Sequence, residues 1–181
     1  MPSVGRIRLG KFCDMIGQDR ETVRTAIRTF RFPVRRSKGE GQRTFDGRDA
    51  LAYELFLAMT ENGSSQDWAS KVVILSLAPE QFLKALEEGQ PARELCLVSE
   101  TRGHRIFPLV MPTGEIGEYI AERIRPSTYR DEADVDLSMR RFVVVPLWPA
   151  WLLARDRAKA AGYRLAGSLL LPLSDNPEAE Q

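Results

Sequence analysis

Histidine and cysteine are scarce in this sequence, which contains one histidine, His104, and two cysteines, Cys13 and Cys96. Zinc sites need clustered ligands, and the two cysteines have no metal-ligand spacing. They could form one disulfide, but their positions on predicted apolar faces favour buried free thiols in a reducing compartment. The serines have no partner histidine in a recognisable catalytic motif, and the sequence has no phosphate-binding loop. We therefore expect that the protein is not an enzyme and holds no cofactor or metal.

Long apolar runs are also missing. No stretch approaches the roughly 20 apolar residues that a helix needs to cross a membrane. Arg6, Arg8 and Lys11 interrupt any secretory signal near the N-terminus. With 181 residues, of which 43% are hydrophobic, the chain can still bury a core. We therefore expect a cytoplasmic protein without a membrane partner.

Positive charge is concentrated in residues 1 to 50, which contain twelve Lys and Arg against six Asp and Glu. The net charge of that segment is +6 and that of the whole chain is +1, so residues 51 to 181 carry −5. This asymmetry predicts a basic face that binds a polyanion, although a solvated arginine surface is the alternative.

The same basic segment has the pattern of two short helices joined by a turn. The first helix has an apolar face of Leu9, Phe12, Cys13 and Ile16. Gly17 can adopt the positive φ of a tight turn, and Asp19 can cap the second helix. That helix places Val23, Ile27 and Phe30 on one face and Arg20, Arg24, Arg28 and Arg31 on another. An apolar back with an arginine front is typical of a helix that reads the major groove.

A β-hairpin and a third helix are predicted next. Residues 33–36 and 42–45 can form two strands around a glycine-bearing turn, with Arg35, Arg36, Lys38 and Arg43 near the tip. Asp46 can cap the third helix, with Asp49 in its first turn, and Gly63 can end it. Its apolar face is predicted to contain Leu51, Leu55, Phe56 and Met59.

These motifs resemble the DNA-binding domain of the MerR-type winged helix-turn-helix superfamily. The matching residues are Gly17, Asp19, Thr22-Val23-Arg24, the wing segment Gly41-Gln42-Arg43-Thr44-Phe45, and Asp49-Ala50-Leu51. The resemblance covers about a third of the chain. Thr25-Ala26 replaces the usual aromatic pair, and residues 31–34 replace the usual glycine-leucine turn. Pro79, Gly89 and Pro91 interrupt the region where the family has a long dimerisation helix.

The resemblance implies a DNA-binding protein, most simply a nucleoid-associated bacterial or phage transcriptional regulator. The expected groove contacts are Arg20, Thr22, Arg24 and Arg28, and the expected backbone contacts are Arg35, Arg36, Lys38 and Arg43. The expected partner is double-stranded DNA, bound by a homodimer. Two alternatives remain open. One is an excisionase-like or phage DNA-packaging accessory protein that docks another protein, and the other is a DNA-tethered domain that senses a small molecule.

The sequence divides into four predicted segments and indicates an α+β fold. Residues 1–63 form the winged helix-turn-helix, 64–90 a helical connector or dimerisation segment, 91–173 a small α+β unit, and 174–181 a disordered tail. The helices after the third are predicted at 65–77, 79–88, 114–124 and 151–161, and the strands at 94–100, 104–111, 141–147 and 163–173. Residues 91–173 could bind a protein or small molecule. Trp148 and Trp151 in that unit are either core residues or an aromatic anchor for a partner.

Overall fold

The computed structural model describes residues 5–34, 43–102, 105–124 and 140–173, and its fold is α+β. The helices are α1 (Leu9–Ile16), α2 (Arg20–Arg28), α3 (Gly47–Glu61), α4 (Gln66–Ser76), α5 (Ala78–Glu87), α6 (Ile116–Ile124) and α7 (Leu147–Ala160). The strands are β1 (Ile7–Arg8), β2 (Thr44–Phe45), β3 (Leu95–Arg102), β4 (Arg105–Pro112), β5 (Arg140–Pro146), β6 (Tyr163–Ala166) and β7 (Leu169–Pro172).

The turn between α1 and α2 forms as its residues predict. Gly17 has a φ of 66°, and the Gln18 amide donates to the Cys13 carbonyl, which closes the end of α1. The Asp19 carboxylate accepts hydrogen bonds from the amides of Glu21 and Thr22, both at 2.9 Å. These local interactions satisfy amides that the first turn of α2 would otherwise leave without a partner.

The end of α2 differs from the prediction, because Phe30 is not on its apolar face. The helix ends at Arg28, and Phe30 has a φ of 58° and an exposed side chain. This left-handed residue turns the chain so that Phe32 enters the core instead. The Phe32 ring centroid lies 5.7 Å from that of Tyr53 and 6.3 Å from that of Phe56.

Near the predicted wing, the structure contains a strand pairing that the sequence did not predict. β2 pairs with β1 in antiparallel register, with Ile7 opposite Phe45. Pro33 and Val34 are buried but form no strand, so the strand predicted from residue 33 is wrong at its described end. Residues 35–42 lie outside the described part of the chain, and with them the predicted contacts Arg35, Arg36 and Lys38.

α3 is the central helix of the molecule. The Asp46 side chain accepts from the Arg48 amide while Asp49 accepts from the Asp46 amide, each at 2.9 Å. This reciprocal capping box confirms both predicted roles. The predicted apolar face of α3 is buried, and so are Ala52 and Tyr53, because α4, α5 and α7 pack around the helix.

The main sheet is antiparallel with strand order β4-β3-β5. Leu97 in the middle strand lies opposite Val110 of β4 and Val145 of β5 and belongs to the main core. On the other face, Cys96 and Val98 form a small second cluster against α6. Cys13 and Cys96 are both free and buried, as predicted.

Three details of the later segments correct the sequence reading. The predicted strand 163–173 is a hairpin of β6 and β7, because Gly167, with a φ of 53°, allows a turn between them. α7 begins at Leu147 rather than Trp151, since Pro149 is compatible with the first turn of a helix. The spacing of Trp68, Val72 and Leu75 predicts one apolar face for α4, but Leu75 is 60% exposed. The helix buries Val72 together with Ala69 and Val73.

One hydrophobic core joins the two ends of the chain. The buried apolar cluster extends from Ile7 to Leu170. The Gly47 amide donates to the Ser168 carbonyl at 2.8 Å, which links the start of α3 to the C-terminal hairpin. Trp148 and Trp151 of α7 pack against Phe82 of α5, so the structure favours their core role. Residues 91–173 thus share their core with the N-terminal helices. No described helix has the length and apolar character to cross a membrane.

Candidate nucleic-acid interface

A concave, basic surface lies between α1, α2 and the start of β2, and we call it the basic groove. Its volume is about 660 Å³. The lining residues are Arg8, Leu9, Gly10, Lys11, Asp14, Arg20, Arg24, Ile27, Arg28 and Arg43. Six of these side chains are cationic and one is a carboxylate. The groove therefore has the electrostatic character of a site for a polyanion.

α2 supplies half of these cations. Arg20, Arg24 and Arg28 are spaced four residues apart, so they project from one exposed face. On the opposite face, Val23 is fully buried and attaches the helix to the core. The nearest carboxylate to Arg24 is Glu21, with 3.4 Å between Nη1 and Oε2. Both side chains are more than half exposed, so this ion pair is weak.

Arg20 lies directly against α1. A Cβ atom placed on Gly10 would be 2.7 Å from Cζ of Arg20, so a side chain at position 10 would displace this guanidinium. Cys13 lies near this arginine, but burial raises the pKa of the Cys13 thiol more strongly than Arg20 lowers it. The thiol stays neutral and adds no negative charge beside the groove.

The predicted site residues separate into three groups. Arg20, Arg24, Arg28 and Arg43 are brought together in the basic groove. Thr22 borders a different concavity with Glu21 and Thr25, and its hydroxyl donates to Asp19 at 3.3 Å. Amide hydrogen bonds, above all from Thr22, hold the pKa of Asp19 below its ordinary value, so this cap remains charged. The third group, Arg35, Arg36 and Lys38, lies outside the described residues.

The sequence reading missed Arg8 and Lys11. Arg8 is the last residue of β1 and Lys11 is in the first turn of α1; both are exposed and line the basic groove. Lys11 lies on the polar face of α1, and this was the available signal. The sequence did not reveal that β1 pairs with β2, which places Arg8 opposite Thr44 and near Arg43.

Several arginines elsewhere are held by buried carboxylates. Arg157 Nε lies 2.6 Å from Glu54 Oε1, and the Glu54 side chain is only 3% exposed. Arg102 and Arg123 both pair with Glu100, whose side chain is 1% exposed. By contrast, within the described residues Arg8, Lys11 and Arg20 have no carboxylate within ion-pair distance.

A second, smaller concavity of about 310 Å³ lies at the base of the predicted wing. Its charged lining is balanced, with Arg6, Arg43 and Arg48 against Asp46, Asp49 and Glu80. Burial, reinforced by the neighbouring Asp46, raises the pKa of Asp49 to about 7. Even with Asp49 partly protonated, two or more carboxylates offset the three cations, so this surface is much less cationic than the basic groove. In the part of the chain that is described, no three potential ligand side chains are placed to hold a metal ion.

Comparison with known proteins adds no relative, because no protein-family model and no curated protein sequence matches the chain. The function is therefore inferred from the geometry and charge of the basic groove.

Proposed function

We propose that this chain is a sequence-specific DNA-binding protein of the winged helix-turn-helix class, acting as a bacterial or phage transcriptional regulator. The observation that carries the proposal is the basic groove, where three arginines of one helix face lie beside cations from β1, α1 and the residue before β2. Phosphate neutralisation by such a surface supplies most of the affinity of non-specific DNA binding.

The dimensions of α2 suit the major groove. An α-helix with its side chains is about 10–12 Å across, and the major groove of B-DNA is about 12 Å wide. Arg24 and Arg28 lie on the exposed face and can form bidentate hydrogen bonds to guanine. Thr22, near the positive end of the helix dipole, is the proposed polar contact at the edge of this footprint.

The proposed wing adds contacts that fix the protein on the duplex. Arg43 precedes β2 and lines the basic groove. Arg35, Arg36 and Lys38 belong to the same predicted hairpin and are assigned to backbone phosphates, which position the protein without reading sequence. One module of this size reads few base pairs, so we expect a homodimer on a two-part site.

The test is selection of binding sites from a random duplex pool, followed by a salt series on the enriched site. We expect one motif, two half-sites at helical spacing, and an affinity that falls steeply as salt rises. Failure of the full chain to bind duplex DNA even in low salt would contradict the proposal. A long, bent footprint would favour the excisionase or packaging role over regulation. Thermal stabilisation by one member of a metabolite panel would favour sensing.

A further inference from the structure

We infer that Arg8, Lys11 and Arg20 form a phosphate-binding subsite for one DNA strand, on the α1 side of the basic groove. In this arrangement Arg20 holds the backbone, while Arg24 and Arg28 are directed to the bases. The inference rests on the proposed DNA binding and deepens it, because it assigns separate tasks to arginines that share one helix face.

Arg20 lies against α1 and does not extend freely from α2. Its guanidinium lies against Gly10 of α1, at the junction of the two helices. A base-reading side chain must extend from the helix toward the base edges. Arg20 instead lies over the neighbouring helix, where a planar guanidinium can donate two parallel hydrogen bonds to a phosphate at the rim of the groove.

Two further cations lie beside Arg20 in the basic groove. Arg8 and Lys11 line the same concavity, and all three side chains are exposed. Among the described lining residues Asp14 is the one carboxylate, so the local charge favours an anion. Like charges brought together on a folded surface repel one another, and a phosphate bound among them removes that repulsion.

The geometry also determines which ligand fits. The subsite is continuous with the α2 arginines in one open concavity of about 660 Å³. A DNA strand can therefore place a phosphate against α1 while the adjoining bases meet Arg24 and Arg28. A phosphate contact of this kind contributes about 0.9 to the slope of log affinity against log salt and contributes nothing to sequence preference.

The experiment compares the full chain with the double variant Arg8→Gln/Lys11→Gln on its selected duplex and on a scrambled duplex. The matched control is Arg155→Gln/Lys159→Gln, which removes the same charge from exposed positions on α7. We expect the groove variant to reduce the salt slope by about two while the ratio of the two affinities stays unchanged. The control should keep the parental slope.

A third variant, Gly10→Ala, tests the role of Arg20 without changing any charge. The new methyl group displaces the guanidinium, while alanine favours the helix more than glycine does. We expect the salt slope to fall by about one and thermal stability not to fall.

The inference is overturned if the groove variant binds like the control, or if it changes the preference for the selected duplex. It is overturned together with the proposed function if the parent binds no duplex. A third outcome separates the two proposals: Arg24→Ala weakens binding to the selected site, but Arg8→Gln/Lys11→Gln and Gly10→Ala bind like the parent. In that case the proposed DNA binding stands and only the phosphate subsite is wrong.

Discussion

The surface of α1 and α2 and the junction between α3 and α7 place arginines in opposite environments. At the junction, Arg157 is fixed by the buried carboxylate of Glu54, 103 positions earlier in the chain. On the groove side, Arg8, Lys11 and Arg20 have no such partner among the described residues.

The comparison indicates that a nearby buried carboxylate decides whether an arginine is held in an ion pair or is available to an anion. A carboxylate removed from water requires a cation, and a cation that is held in this way is a poor ligand for phosphate. A cation on a face without buried carboxylates remains available to a polyanion. Four experiments test this difference between the two regions, and they are given in order of decreasing expected effect.

Removing the junction arginine should have the largest effect on stability. Arg157→Ala leaves Glu54 buried without its cation, and we expect the free energy of unfolding to fall by about 3 kcal/mol. Urea denaturation measures this change. Arg155→Ala, at an exposed position on the same helix, is the control and should change it by less than about 0.5 kcal/mol. Equal effects of the two variants would show that Arg157 has no structural role.

Asp49 tests how much stability depends on the ionisation of a half-buried carboxyl group. Arg43 and Arg48 lower its pKa, but less than burial raises it. Its pKa of about 7 lies above the unfolded value, so the folded state retains a proton that unfolding releases. Stability contributed by this group is therefore largest at low pH and is lost as pH rises toward 7. We expect the free energy of unfolding of the parent, relative to Asp49→Asn, to fall by roughly 2 kcal/mol between about pH 5.5 and pH 8.

Urea denaturation of both proteins at the two pH values measures that difference. Asparagine retains an oxygen that can accept the Asp46 amide, so the capping interaction is largely preserved. A difference between the two proteins that is the same at both pH values would mean that Asp49 does not titrate in this range.

Arg24 tests the groove side of the comparison. Arg24→Ala should weaken binding to the selected duplex by about 1–3 kcal/mol and relax the base preference. The free energy of unfolding should change little, because the side chain is exposed and paired only with exposed Glu21. Binding assays on selected and scrambled duplexes measure both effects. Equal weakening on the two duplexes would make Arg24 a phosphate contact.

The turn that orients α2 against α1 should show the smallest effect. Gly17→Ala places a side chain at a φ of 66° with no atom within 4 Å of the new Cβ, so only backbone strain opposes it. We expect a loss of about 1 kcal/mol in unfolding free energy. The control is Gly114→Ala, which also has open space around it but no positive φ, and it should be nearly neutral. If both lose the same stability, left-handed strain is not the reason.

The features that the sequence predicted correctly arise within a few residues of one another. The turn at Gly17 and the caps at Asp19 and Asp46 involve partners no more than five positions away. The apolar spacing in α1 and α3 follows from the period of a helix, whatever packs against it. These elements can therefore be predicted from local interactions, without knowledge of the tertiary contacts.

The errors arise where distant segments compete for the same site. Phe30 and Phe32 are both aromatic, and only the packing around Tyr53 and Phe56 selects Phe32 for the core. β2 pairs with β1, whose residues lie 36 and 38 positions earlier, and this pairing was not among the strands predicted from the sequence. Neither choice leaves a periodic signal in the sequence.

The two short helices α1 and α2, the turn between them and the positive charge of their segment follow from the sequence alone, because charge, caps and apolar spacing are local properties. The sequence also determined the hairpin of β3 and β4 and the strand before α7. Only the tertiary structure decided which cations face an open groove and which are held by Glu54 and Glu100. The physical reason is that an arginine has the same charge everywhere, and its role depends on whether folding places a buried carboxylate beside it.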